Sequence, residues 1–225
     1  MSVKPVLRLL TIFLAMAVLA ACSNRPGTQV TGASLVKSAL KKKPARTTPD
    51  AQTVAASAAT VLASTNTRVI IISIPRLKVL VPIQEVAANG NYTTYGTPDR
   101  RSITLRDGLL AATRGLGQDL MSADLDQVQA LIAAPGNGTA TRVNRYLDGE
   151  NLTTPIAFNC TLTAGAKTHL QSGEIDTDVT QVTEACTSAS NSFENTYLVS
   201  PGGRVVQSRQ WLNPLHGYMT IQHLR

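Results

Sequence analysis

The chain has 225 residues and carries a formal net charge of +7. Only 16% of its residues are charged, against about 25% in an average soluble domain, and mean hydropathy is +0.02, which excludes an intrinsically disordered chain. At most one segment is long and apolar enough to cross a membrane, which excludes a polytopic membrane protein, and 4% aromatics with a single Trp are too few for a groove that stacks rings on sugars or bases.

Lys4 and Arg8 precede an uncharged apolar run, Leu9 to Val18, followed by Leu19-Ala20-Ala21-Cys22. A positive start, an apolar centre and small residues at the end predict a secretory signal over residues 1–21. Leu-Ala-Ala-Cys is also the bacterial lipobox pattern. That resemblance implies a diacylglycerol on the Cys22 sulfur, cleavage after Ala21, and acylation (palmitate) of the new Cys22 amine. An ordinary signal peptide with a chance cysteine, or a single membrane helix, is the alternative. The run is short for a span, and no basic stop-transfer cluster follows at once. Ser23, where inner-membrane retention favours Asp, points by the same resemblance to the outer membrane, with the protein facing the periplasm. Cleavage leaves 204 residues and, with Lys4 and Arg8 removed, a net charge of +5. A mild positive balance suits anionic partners such as acidic polysaccharide or lipid headgroups. It lacks the clustering that nucleic-acid binding needs, so no nucleic-acid partner is expected.

Residues 22–49 are polar, basic and Pro-bearing and read as a flexible tether between lipid and domain. Asp50 predicts a helix cap before the Ala-rich stretch to Ser64. From Arg68 the texture changes. RVIIISIP predicts a buried strand, and LKVLVPIQEVA continues it to a turn at Asn89-Gly90. A second hairpin turns at Asp107-Gly108, and Ser122 to Ala134 has helical spacing at Leu125, Val128 and Ile132. Further turns are expected at Asp148-Gly149, near Gly165 and at Pro201-Gly202-Gly203, with a polar loop from Gln171 to Asp178. The expected fold is mostly β, an antiparallel meander of long hairpins with two short helices, in a single domain over residues 50–225.

With Cys22 lipidated, Cys160 and Cys186 remain, and an exported chain with an even pair reads as one disulfide, two buried free thiols being the alternative. Closing that 26-residue separation would stabilise the fold by roughly 3–4 kcal/mol on the chain-entropy model. No C-x-x-C, H-E-x-x-H or G-x-S-x-G pattern is present, and no catalytic residue, metal site or cofactor is assigned. Asp99, Asp107, Asp119, Asp124, Asp126, Asp148 and Glu150 are the carboxylates a glycosidase would draw on. Most of them fall at turns or helix starts, where Asp has a structural reason to be.

The stretch NYTTYGTPDRRSITLRDGLLAATRGLGQDLMSADLD and the ending YLVSPGGRVVQSRQWLNPLHGYMTIQ resemble the YjbF family of bacterial lipoproteins, also called the GfcB or group 4 capsule lipoprotein family. The residues that carry the resemblance are Thr113-Arg114-Gly115-Leu116-Gly117 after a hairpin, then Asp119 and Asp124, and later Gln210-Trp211-Leu212. It implies a mostly β periplasmic domain tethered to the outer membrane, associated with exopolysaccharide or group 4 capsule secretion and assembly, and it carries over no catalytic residue. The expected role is therefore non-catalytic: binding polymer, or docking on other capsule and exopolysaccharide export proteins. A polysaccharide-modifying hydrolase and an envelope protein that pairs by strand addition are the alternatives. Arg100, Arg101, Arg106 and Arg114 are the candidate contacts to an acidic polysaccharide, because guanidinium binds carboxylate through two parallel hydrogen bonds. Arg114 has a competing structural reading, an internal pair with Asp119 or Asp124. Trp211 either stacks on a sugar or fills the core.

Overall fold

In a computed structural model, which describes residues 49–225, Asp50 caps the first helix, α1 (Ala51–Ser64). Its carboxylate accepts from the Thr53 N–H at 2.8 Å and from the Thr53 hydroxyl at 2.6 Å, which satisfies a donor the helix start would leave free. The signal segment, Cys22 and the tether up to residue 48 lie outside the described residues.

Twelve strands follow: β1 (Val69–Ile74), β2 (Val79–Asn89), β3 (Tyr92–Gly96), β4 (Ser102–Arg106), β5 (Leu109–Arg114), β6 (Leu120–Asp124), β7 (Gly138–Leu147), β8 (Thr153–Ser172), β9 (Ile175–Thr187), β10 (Ser192–Val199), β11 (Val205–Asn213) and β12 (Gly217–His223). A second helix, α2 (Asp126–Ala133), separates β6 from β7. All twelve strands join one antiparallel sheet in the order β5-β4-β3-β2-β1-β12-β11-β10-β9-β8-β7-β6. Neighbours in the sheet are neighbours in sequence, except that β1 pairs with β12, from Ile70↔His223 to Ser73↔Thr220. The two outermost strands, β5 and β6, are themselves consecutive, so the sheet curls round until it is nearly closed.

The period of two along each strand decides what faces inward. On β1, Ile70, Ile72 and Ile74 join the main core, while Val69 and Ile71 face α1, which packs Ala58, Val61 and Leu62 against them. On β7 the buried residues are Ala140, Arg142, Asn144 and Tyr146, and on β10 Phe193, Asn195, Tyr197 and Val199. The mostly β meander with two helices is as the sequence predicts.

Three local expectations are corrected. The second helix starts at Asp126, not Ser122, because Ser122 to Asp124 pair with β7 as strand. Gly165 makes no turn. β8 runs through it as a 20-residue strand, and the register slips between Ala164 and Lys167, the bulge that a strand-interior glycine often marks. The expected polar loop at Gln171 to Asp178 shrinks to Gly173-Glu174. Gly173 sits at φ +59, and a Cβ there would lie 2.7 Å from the Leu224 carbonyl, so only glycine fits. Cys160 and Cys186 stand directly opposite on β8 and β9 and form a disulfide.

Candidate functional site

The Thr-Arg-Gly-Leu-Gly motif forms the joint between the sheet's two edges. Between β5 and β6 no ladder forms, and side chains stitch the seam instead. Thr113 Oγ1 accepts from the Leu120 N–H at 3.0 Å. The Arg114 guanidinium donates to the carbonyls of Thr113, Leu120 and Met121. Asp119 accepts from the Thr113 hydroxyl at 2.8 Å, the Gly115 N–H at 2.7 Å and the Leu116 N–H at 3.1 Å. Gly115 and Gly117, at φ +78 and +87, let the loop fold back over that carboxylate. From β11 and the turn after it, Asn213 donates to the Gly117 and Gln118 carbonyls, and His216 Nε2 lies 2.8 Å from the Leu116 carbonyl. Gln210 reaches across the interior to the Leu110 N–H and the Gly108 carbonyl. Arg114 therefore has an internal role, but with backbone carbonyls in place of the Asp119 or Asp124 expected.

Three of the four candidate arginines gather at one end of β4, where a Cβ on Gly115, next to Arg114, would lie 3.3 Å from the Arg101 side chain and 3.7 Å from the Arg100 carbonyl, and Arg106 stands apart. β4 pairs with β5 as expected, Ser102 opposite Arg114. Arg101 and Arg106 bracket that strand, however, roughly 16 Å apart at the rise of an extended chain. Arg101 is bound to Asp99 at 3.2 Å. Arg100 adopts φ +65 in the turn before β4. Arg106 alone lies in an open cleft at the far end.

That cleft, about 670 Å³, crosses the seam. The β2–β3 turn contributes Asn89, Asn91 and Tyr92, β4 contributes Arg106, the end of β6 and the start of α2 contribute Asp124 and Asp126, and β7 contributes Arg145. Tyr92 is 41% exposed, with the Arg106 guanidinium 5.8 Å from its ring centroid. Asp126 accepts from Arg106, and this hydrogen bond raises the Arg106 pKa above its ordinary value. The Arg145 guanidinium has no hydrogen-bond or ion-pair partner among the described residues. Tyr92 is one ring and not the stacked groove that the composition excludes, but beside planar amides, guanidinium groups and carboxylates it offers one face for a pyranose and donors for an acidic sugar. Neither Tyr92 nor Arg145 stands out in the sequence, since β3 and β7 reach one cleft only because the sheet curls round.

Trp211 fills the core. It is 9% exposed and stacks on Phe193 with centroids 4.8 Å apart and planes 7° from parallel, while Tyr146 and Phe158 meet it edge-on. It has no free face for a sugar. Two of the seven carboxylates hold backbone, while Asp99, Asp107 and Asp126 meet the side chains of Arg101, Gln129 and Arg106. Asp119 holds the seam loop, and Asp148 accepts from the Glu150 and Leu152 N–H groups.

The interior holds a second charged group of residues. Arg142 on β7 meets Glu184 on β9 with both Glu184 oxygens, at 3.1 and 3.0 Å, and Glu184 also accepts from Tyr197 at 2.6 Å and Asn195 at 2.7 Å. Burial opposes the Arg142 charge, but the facing Glu184 outweighs it and keeps the guanidinium's pKa above its usual value. Burial and the same carboxylate raise the Tyr197 pKa well above its ordinary value. The Cys160 and Cys186 sulfurs lie within 4.8 Å of the Glu184 carboxylate, but they are bonded to each other and so are not thiolate ligands. Every polar group here has its partner inside the protein, which makes this a structural network.

A family model described as "Group 4 capsule polysaccharide lipoprotein gfcB, YjbF" matches residues 33–224. Among solved structures, the hypothetical lipoprotein YmcC from Escherichia coli superposes with a TM-score of 0.65 at 14% identity, covering 88% of this chain and 98% of that one. At that identity the likeness speaks for the fold. No curated protein matches the chain.

Proposed function

Since the chain belongs to the YjbF family of group 4 capsule polysaccharide lipoproteins, we propose that it is a non-catalytic, lipid-anchored envelope protein that holds acidic exopolysaccharide or capsule polymer in the cleft around Tyr92, Arg106 and Arg145. The observation that carries this reading is Arg145, a guanidinium without a partner among the described residues, lining the same cleft as the exposed Tyr92 ring. In this reading Cys22 carries the lipid, residues 23–49 form the tether, and the domain faces the periplasm from the outer membrane. Arg100 and Arg101, at the other end of β4, are outlying contacts for a long polymer, and export proteins of the same system are the expected partners. Uronic acid or pyruvate groups on the polymer would pair with Arg145, while Tyr92 covers an apolar sugar face.

Titration of the purified protein with the host's own acidic polymer tests this. Tyr92→Ala combined with Arg145→Ala is expected to weaken binding at least tenfold with the thermal midpoint unchanged. Equal affinity of the double variant and the parent overturns the cleft assignment. Asp124 and Asp126 keep a hydrolase in view as the second reading, because both line the cleft. Release of new reducing ends from that polymer would favour it. Asp126, however, is already engaged by Arg106.

A further inference from the structure

The first half of β2 is an open edge. Its ladder with β3 begins only at Gln84↔Gly96, so Val79 to Ile83 pair with β1 alone. The Glu85 N–H donates to the Arg68 carbonyl on the β1 side, and alternation then turns the backbone of Leu80 and Pro82 to the open side. Pro82 has no N–H to offer there. A strand added at this edge would lose a ladder bond, which argues against protein strands as occupants.

Behind the edge lies a cavity of about 770 Å³, within the range of sites for small organic ligands. Ile72, Ile74, Val81, Ile83, Ile103 and Leu116 line its apolar depth. The rim is charged, with Lys78, Asp99 and Arg101. Arg101 and Asp99 pair, which leaves Lys78 as the net positive charge. Lys78 is exposed, and its ammonium has no side-chain partner among the described residues.

We propose that this slot binds a single-chain fatty acid, with the acyl chain among the isoleucines and valines and the carboxylate on Lys78. One net positive charge at the rim matches one monoanionic head, and the apolar depth matches a chain that water would otherwise hydrate. This assignment is independent of the polymer cleft, which lies at the opposite end of β4.

The probe is cis-parinaric acid, titrated by fluorescence into the full chain carrying Cys22→Ser, so that no lipid of its own competes. Saturation at one molecule per chain, displaced by oleate but not by uncharged monoolein, is expected. Val81→Trp fills the slot and should weaken binding at least tenfold. Lys78→Asn keeps a residue that tolerates the left-handed backbone at φ +52 while removing the charge, and it should weaken oleate about fivefold. Circular dichroism and the melting midpoint of each variant establish that it is folded, and Lys78→Asn serves if Val81→Trp is not. The absence of saturable binding, equal binding by folded Val81→Trp, or displacement by phosphatidylglycerol vesicles and not by oleate each overturns the assignment.

Discussion

His223 is buried at 5% exposure, and neither ring nitrogen has a hydrogen-bond partner among the described residues. Tyr95 meets it edge-on, with centroids 6.3 Å apart. Burial, reinforced by the charges of Arg204 and Arg68, pulls its pKa from 6.5 down to about 3. The folded protein thus keeps this imidazole neutral where the unfolded chain protonates it. Stability is complete above about pH 6.5 and falls as the pH drops toward 3, because only the unfolded state gains the proton in that window. Between pH 7 and pH 4 the loss from this residue is about 3 kcal/mol at 1.36 kcal/mol per unit. His223→Leu should flatten that part of the profile in urea melts and, by removing two stranded nitrogens, stabilise the protein at pH 7 by about 1–3 kcal/mol. Asp119 is the opposite case, a carboxylate with three donors, one from the end of β5 and two from the loop after it. Asp119→Ala should cost about 2–4 kcal/mol, since hydrogen bonds to charged groups contribute about 1.5–3 kcal/mol each and are not additive. Unfolding curves read at pH 7 check both values.

The β8–β9 hairpin shows what a local reading of the sequence reaches and what it misses. Turns whose chemistry sits in two or three adjacent residues are legible, as at Asn89-Gly90, Asp107-Gly108, Asp148-Gly149 and Pro201-Gly203. So is α1, through Asp50 and its alanines. A glycine with negative φ inside a long strand looks the same on paper as one in a turn, which is why Gly165 misleads. Polar side chains opposite each other, such as His169 with Asp176 and Asp178, look like a loop until the pairing is known. Inward-facing Arg142 and Glu184 are equally opaque, since charge in a strand reads as a solvent face unless its partner 42 residues away is visible. The cleft combines Tyr92 and Arg145 for the same reason, across a seam that only closure of the sheet creates. Within the hairpin, the disulfide closes a loop that the paired strands already hold in register. Cys160→Ala with Cys186→Ala should therefore lose about 2–3 kcal/mol, toward the low side of the chain-entropy figure. Glu184→Ala, which strands Arg142 without its counter-charge, should cost more, about 3–5 kcal/mol. Thermal melts of the two variants side by side test that order.

Two links of different kind hold the curled sheet together. The β1–β12 ladder joins the first five strands to the last seven through backbone hydrogen bonds, and the seam between β5 and β6 joins them again through Thr113, Arg114 and Asp119. The ladder is continuous on both sides of β12, with Thr220 opposite Ser73 on one flank and Arg209 on the other. Thr220→Pro removes a donor whichever flank it serves, and a proline is not tolerated in a central strand. The proline would break the β1–β12 ladder at its Ser73 end and disrupt β12 itself, and this variant should not reach the native state. Arg114→Ala loosens the seam alone. It should lower stability by about 1–3 kcal/mol while the chain still unfolds in one step, because the ladder continues to couple the halves. Trp211 is the single tryptophan and sits on β11, beside β12, so its fluorescence reports the joint directly. Urea transitions followed by that fluorescence and by far-ultraviolet circular dichroism should coincide for Arg114→Ala. If they separate, the seam and not the ladder is what makes the two meanders one cooperative body.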